Sequence, residues 1–256
     1  MKKMLASILL VMFIFSGCVN VASVKSMDKE SLKYPTGSVG ILVTQGDKML
    51  ACDRTVKAGL ASNLYLVNAP QLNYKISKNM QKQLNSSNIT NIKIVPSSRV
   101  DIERFFISNE NNNKYKQETI KNIINEYRLK SLIVVSRRDF GGLKYETDTA
   151  TFPIRKLNSE KEYAAGVVVY KFTPFFTTNV YIGVSFNSIN YYLNSQNKLL
   201  ESGYSRLHSY QKIGLAQDLW KGDKEPSYSE VMAILNKIDK PLDEAFANIK
   251  NRLKIK

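Results

Sequence analysis

Few side chains in this sequence could do covalent or metal chemistry: two cysteines, Cys18 and Cys52, and a single histidine, His208. A thiol nucleophile needs a base beside it, and a zinc ion needs three or four nitrogen, sulfur or oxygen ligands. His208 completes neither set, so it reads as an exposed or hydrogen-bonded loop residue between a hairpin and the C-terminal helices. Cys52 has Asp53 as its neighbour, whose charge would oppose thiolate formation, and reads as a buried small hydrophobe. Gly183-Val184-Ser185 runs on into Phe186-Asn187 instead of the glycine of a nucleophile elbow. Neither a Walker loop nor Gly-x-Gly-x-x-Gly occurs. Gly141-Gly142 follows a predicted strand and could approach a phosphate, although a turn accounts for the pair equally well. The acidic pairs Asp218/Asp223 and Glu160/Glu162 lie in polar segments and read as solvated surface. No catalytic, cofactor-binding or metal-binding residue is assigned, and the expectation is a protein that is not an enzyme.

Cys18 stands apart because of what precedes it. Lys2 and Lys3 are followed by twelve residues, 4–15, without a charge, and then by Ser16-Gly17-Cys18. This is the order of a secretory signal: a positive start, an apolar stretch and a small-residue cleavage zone. Twelve residues fall short of the roughly 20 that a membrane-crossing helix needs. Ser16-Gly17-Cys18 resembles the lipobox of bacterial lipoproteins, with Phe15 standing where that family usually has leucine. The resemblance implies removal of residues 1–17, acylation of Cys18 and attachment of the mature chain to a membrane. The alternative is an ordinary secretory signal; cutting after Ala22 would leave Asn20, a poor residue, at the third position before the cut. Each buried methylene contributes about 0.8 kcal/mol and one acyl chain anchors only marginally; the resemblance implies three. In a cell with two membranes, Val19 in place of an aspartate favours the outer membrane, facing the periplasm.

After Cys18 is acylated, Cys52 has no partner for an intramolecular disulfide. Without residues 1–17 the chain keeps 35 basic residues (37 less Lys2 and Lys3) against 22 acidic ones, a net charge of +13. Nucleic-acid binders gather such charge in clusters or on one face, whereas here it is spread along the sequence, closest at Arg137-Arg138. An exported chain meets no nucleic acid. The charge suits anionic lipid or acidic wall polymers, or serves solubility alone.

The elements that would hold these residues follow from periodicity. Residues 19–33 are short of large apolar side chains and read as a tether; residues 34–256 read as one domain. A buried strand is predicted at 38–44 (SVGILVT). Ile76, Met80 and Leu84 mark a helix over 74–87, and 91–95 (NIKIV) a strand stopped by Pro96. A short helix capped by Ser97-Ser98 would carry Val100, Ile102 and Phe105-Phe106. The run 108–114 (SNENNNK) reads as an exposed loop. Ile120, Ile123, Ile124 and Tyr127 lie on one helical face, before a strand at 131–136 (SLIVVS). The first half thus reads βαβαβ, the pattern of a sheet with helices packed on it.

Beyond Phe140-Gly141-Gly142 and a connection containing Pro153, strands are predicted at 163–172 and 179–193. The second changes its apolar phase after Ser188, from Val180, Ile182, Val184 and Phe186 to Ile189, Tyr191 and Leu193, which predicts a bulge or bend. Asn194-Ser195-Gln196-Asn197 would turn the chain into a strand at 198–206, an antiparallel section. Two helices close the chain within 227–254: one capped by Ser227 and Glu230 with Val231, Ile234, Leu235 and Ile238 inward, and one starting near Pro241 that buries Leu242, Ala245, Phe246, Ile249 and Leu253. The expected fold class is α/β, with α+β as the alternative.

This order, on a chain with a lipobox, resembles a group of envelope lipoproteins: the amino-terminal domain of TolB, the curli secretion lipoprotein CsgG and the LpoB-type activators of penicillin-binding proteins. The likeness spans about 36–206 and rests on three places. They are the strand at 39–44, the sequence Ser98-Arg99-Val100-Asp101-Ile102-Glu103 with the later helix and strand 131–136, and the hairpin over 187–202. It implies a binding, scaffold or assembly module with a protein partner in the envelope and no catalytic residue. The alternatives are a subunit of an oligomeric secretion or surface machine, for which the aromatic-rich stretch 173–193 would supply membrane strands, and an envelope hydrolase with a scattered site.

Overall fold

The computed structural model describes residues 33–34, 36–54, 63–89, 91–106, 110–137, 166–172, 177–221 and 224–255. Cys18, its preceding residues and nearly all of the 19–33 tether lie outside these. Among the described residues eight strands form one mixed sheet: β1 (Ser38–Thr44), β2 (Lys48–Arg54), β3 (Asn63–Asn68), β4 (Ile92–Val95), β5 (Leu129–Arg137), β6 (Val167–Phe172), β7 (Asn179–Leu193) and β8 (Leu199–Leu215). Seven helices accompany them: α1 (Leu72–Ser86), α2 (Ile102–Phe106), α3 (Glu110–Glu126), α4 (Ala216–Leu219), α5 (Tyr228–Leu235), α6 (Asp239–Ala245) and α7 (Ile249–Arg252). The α/β class expected from the sequence is the one observed.

Strand β7 organises the sheet. One side of it pairs antiparallel with β6 over Asn179–Val184 and with β5 over Phe186–Tyr191, while β8 covers the other side for its full length. β5 and β6 therefore lie end to end, and so do β1 and β2, which pair parallel with them in turn. β4 flanks β1 in parallel and β3 flanks β2 antiparallel. The seam between the end-to-end strands is tight. Gly166 sits there with φ of 60°, and a Cβ on it would come within 1.8 Å of the Gln45 side-chain oxygen and 2.8 Å of Arg137 Cβ. Only glycine combines that left-handed backbone with so close an approach.

Helices pack on both faces. The larger core joins the inward residues of β1, β2, β5, β6 and β7 to α1 and the C-terminal helices, around Trp220, Phe186 and Phe246. The smaller core lies on the other face, where Leu132, Val134, Tyr191 and Leu193 meet Phe105 of α2 and Ile120, Ile123 and Ile124 of α3. This accounts for the change of phase in β7. No bulge falls at Ser188; β7 pairs regularly with β5 there, and the irregularities of the β7–β8 ladder fall between Val180 and Tyr181 and between Asn190 and Tyr191, where β8 supplies the extra residue. The apolar side changes because β7 leaves one core and enters the other.

Other departures have equally local causes. The hairpin β2–β3 stands between β1 and α1, so the order of the first half is richer than βαβαβ. Residues 110–114 are the first turn of α3 and not a loop. Glu110 lies in that turn, where an acidic side chain complements the helix dipole, and Asn111 and Asn113 are exposed. Strand β8 runs nine residues beyond Arg206, its polar residues being those of an outer strand. The last predicted helix is two helices, broken at Asn248, whose φ is 60°. The Ser227–Glu230 capping box forms as expected. Contacts from Asp243 to Asn79, Lys82 and Gln83 bind α6 to α1, and Glu244 accepts from Ser209 and Gln211 of β8.

The chain joins this sheet at the turn of its long hairpin. Lys33 N–H donates to the Leu193 carbonyl at 2.9 Å, and its ammonium reaches Asn125 at the end of α3 and Asn197 in the turn. The first residues of β1, β4 and β5 lie at this same end.

Candidate functional site

The strongest concentration of buried charge lies at the opposite end, inside the larger core. Asp53 and Lys171 are register partners on β2 and β6, both at inward positions because Ala51 and Val169 two residues earlier also point inward. The Lys171 ammonium donates to Asp53 Oδ2 at 3.2 Å, with side chains only 4% and 2% exposed. The indole of Trp220 caps the pair, its centroid 5.6 Å from Lys171 Nζ, and Tyr65 meets the same indole edge-on. Trp220 Nε1 donates to the Lys224 carbonyl. A charge pair of this kind is costly to desolvate and more costly still to halve. Held against Asp53 beneath an indole, Lys171 acts as a fixed structural charge.

A second arrangement bridges β7, β8 and α3. Tyr191 and Glu201 face each other across the hairpin, and the phenol donates to the carboxylate. Burial, then the Glu201 charge and this hydrogen bond, push the Tyr191 pKa well above the ordinary phenol value. Burial also pulls the Lys116 ammonium below its ordinary range, a shift that the Glu201 carboxylate partly opposes. A phenol kept protonated and an ammonium made more acidic can both donate hydrogen bonds to an anion.

The remaining residues singled out from the sequence fall apart in space. Cys52 is buried, as expected, on the sheet face opposite the Asp53–Lys171 pair. His208 is exposed but sits within β8, opposite Ser185, and is not a loop residue. Asp218 is exposed in α4. Asp223, Glu160, Glu162, Gly141, Gly142 and Arg138 lie outside the described residues. Arg137 is no surface charge: its side chain is 1% exposed and donates to Glu103 Oε2 at 2.9 Å. Among the described residues no three of histidine, cysteine, aspartate and glutamate converge as metal ligands. The Asp53–Lys171 pair went unread in the sequence, although a lysine at the inward register of VVVYKF was its signal.

No protein-family model matches this chain, and no curated protein matches it. Among solved structures it is similar to a hypothetical protein, CT253, from Chlamydia trachomatis, determined at 1.65 Å. The two share 11% identity with a TM-score of 0.38, over 85% of this chain and 97% of that one.

Proposed function

We propose that the chain is a lipid-anchored lipoprotein of the bacterial envelope that acts as a binding, scaffold or assembly module. The observation that carries this is the run from Lys2-Lys3 through an uncharged apolar stretch to Ser16-Gly17-Cys18. Acylation of Cys18 would hold the folded part at a membrane, in a cell with two membranes at the periplasmic face of the outer one. The hairpin that a membrane-inserting machine would use is committed elsewhere: Val180, Ile182, Val184 and Phe186 lie in the larger core, and Tyr191 and Leu193 in the smaller. That favours the module over the machine subunit.

The test is Cys18→Ser in cells supplied with labelled palmitate. The expected result is loss of the label, with the protein released from the membrane fraction or left unprocessed. A Cys18→Ser protein that still takes up palmitate and stays at the membrane overturns the proposal.

A further inference from the structure

Four of the basic residues that look scattered in the sequence come together in space. Lys33, Lys93, Arg128 and Lys198 are all exposed, and all stand at the end of the sheet where the chain joins it. Lys33 bridges α3 and the hairpin turn through Asn125 and Asn197. Lys93, at the start of β4, donates to the Tyr127 carbonyl, and Arg128 follows directly with a φ of 49°. Lys198 closes the hairpin turn, its N–H bound to Asn194. Lys250 lies on the other side of the same end, donating to the Ser87 carbonyl beyond α1. Among the described residues, two acidic side chains face this group. Glu126 is ion-paired with Arg99, and Glu201 is turned toward Tyr191 and Lys116. The opposite end is mixed, with exposed Asp218 and Glu225 beside Lys221 and Lys224.

We propose that this basic end docks on the anionic headgroups of the membrane to which Cys18 tethers the protein. The proposal rests on the lipoprotein reading and adds an orientation to it. Lys33 lies fifteen positions after Cys18, and a chain of that length spans at most about 50 Å. The anchor therefore keeps the domain near the bilayer, and the end carrying Lys33 is the one it draws closest. Each basic residue at an anionic lipid surface strengthens binding about fivefold, so four of them outweigh free tumbling on the tether. A lipid surface is favoured over a soluble polyanion because the charge collects where the tether arrives.

The whole lipidated chain, reconstituted in vesicles of phosphatidylcholine or of an equal mixture with phosphatidylglycerol, provides the test. A fluorescent label is placed through Ser195→Cys in the hairpin turn, or through Tyr228→Cys at the far end, and quenched by nitroxide headgroups. Expected is quenching at 195, not at 228, only in the phosphatidylglycerol vesicles, fading as the screening length shrinks from about 30 Å at 0.01 M salt to about 10 Å at 0.1 M. Combining Lys33→Glu, Lys93→Glu, Arg128→Glu and Lys198→Glu should abolish it; where that variant does not fold, the salt dependence of the unaltered surface decides. Equal quenching in both vesicles, or stronger quenching at 228, overturns the proposal, as does displacement of the contact by an equal charge of soluble polyphosphate. Palmitate on Cys18 is measured in the same preparation. A labelled protein without headgroup contact sinks the docking alone, whereas an unlabelled one sinks the anchor and the docking with it.

Discussion

The two ends of the sheet handle charge in opposite ways. At one, Asp53 and Lys171 are out of water, paired and roofed by Trp220. At the other, Lys33, Lys93, Arg128 and Lys198 stand in water around the point where the chain arrives, with little acidic charge beside them. The first arrangement is bound up with the fold, because a charge in an apolar core must be matched. The second contributes almost nothing to folding, since exposed charges gain little from their neighbours. Charge that the fold does not need, gathered at one place, is what a partner outside the protein would use.

The contrast is broken most severely by halving the buried pair. Asp53→Ala or Lys171→Ala should destabilise the protein by about 3–5 kcal/mol, against a total stability of about 5–15 kcal/mol for a typical domain. Urea unfolding would measure it. The double substitution of Asp53→Leu with Lys171→Met should recover most of that loss, and a double variant as unstable as the singles would show that packing, not charge, dominates there. The matched experiment at the other end, Lys198→Ala, should shift stability by less than about 0.5 kcal/mol.

The basic end still has packing of its own. A Cβ on Gly203 of β8 would lie 2.4 Å from the Leu253 carbonyl oxygen and 2.7 Å from its Cα. Both are backbone atoms, so Gly203→Ala must displace the C-terminal segment. The expected cost is about 1–3 kcal/mol, read by thermal or urea unfolding, with hydrogen exchange rising first in α7. Unchanged exchange there would mean that β8 gives way instead.

A smaller effect sharpens the first end. Burial raises the Glu230 carboxyl, but hydrogen bonds from Lys221 N–H, Ser227 N–H and the Ser227 hydroxyl, with the Lys171 charge, outweigh it and leave the pKa below the ordinary carboxylate value. Asp243 and Glu244 are lowered as well, Asp243 by Lys82, Gln83 and Asn79 against burial, Glu244 first by its hydrogen bonds from Ser209 and Gln211. A folded pKa below the unfolded one gives stability that is present above the unfolded value, near 4.3 for glutamate, and is lost as pH falls through the folded one. The C-terminal helices should therefore loosen below about pH 4. Ser227→Ala removes the cap, costs about 1 kcal/mol and should flatten part of that acid dependence. An unchanged pH profile in Ser227→Ala would assign the acid effect to Asp243 and Glu244.

Elements with a continuous apolar run or a steady period were legible in the sequence: β1, the extent of β7, α1, the inward face of α3 and the capped start of α5. What escaped was decided by residues far apart. β2 reads as polar at its end because Asp53 is matched by Lys171, 118 residues away. The phase change in β7 looks like a bend until the second core, built from α2 and α3, is placed on the other face. The asparagine-rich start of α3 looks like a loop because its propensity is low, and packing of Ile120, Ile123 and Ile124 overrides it. Basic residues spread from 33 to 198 gave no cluster to read, and the fold gathers them. Cys18 is the reverse case, singled out by the sequence and lying outside the described residues.

The smallest effect is expected midway between the two ends. His208 is exposed on β8, in neither core, with Ser185 opposite it across the ladder and the Glu244 carboxylate near enough for its charge to be felt. It is also the one side chain whose ordinary pKa lies near neutrality, so a hydrolytic site would have strong reason to use it. If the protein is a binding module, His208→Ala should change the urea midpoint by no more than about 0.5 kcal/mol in stability. Membrane attachment and the phenotype of cells carrying the variant should match those of the unaltered protein. The measurement is worth making because its two halves separate cleanly. A variant that is folded, anchored and yet inactive in cells would place chemistry at His208 and bring the envelope hydrolase ahead of the module, whichever end of the sheet faces the membrane.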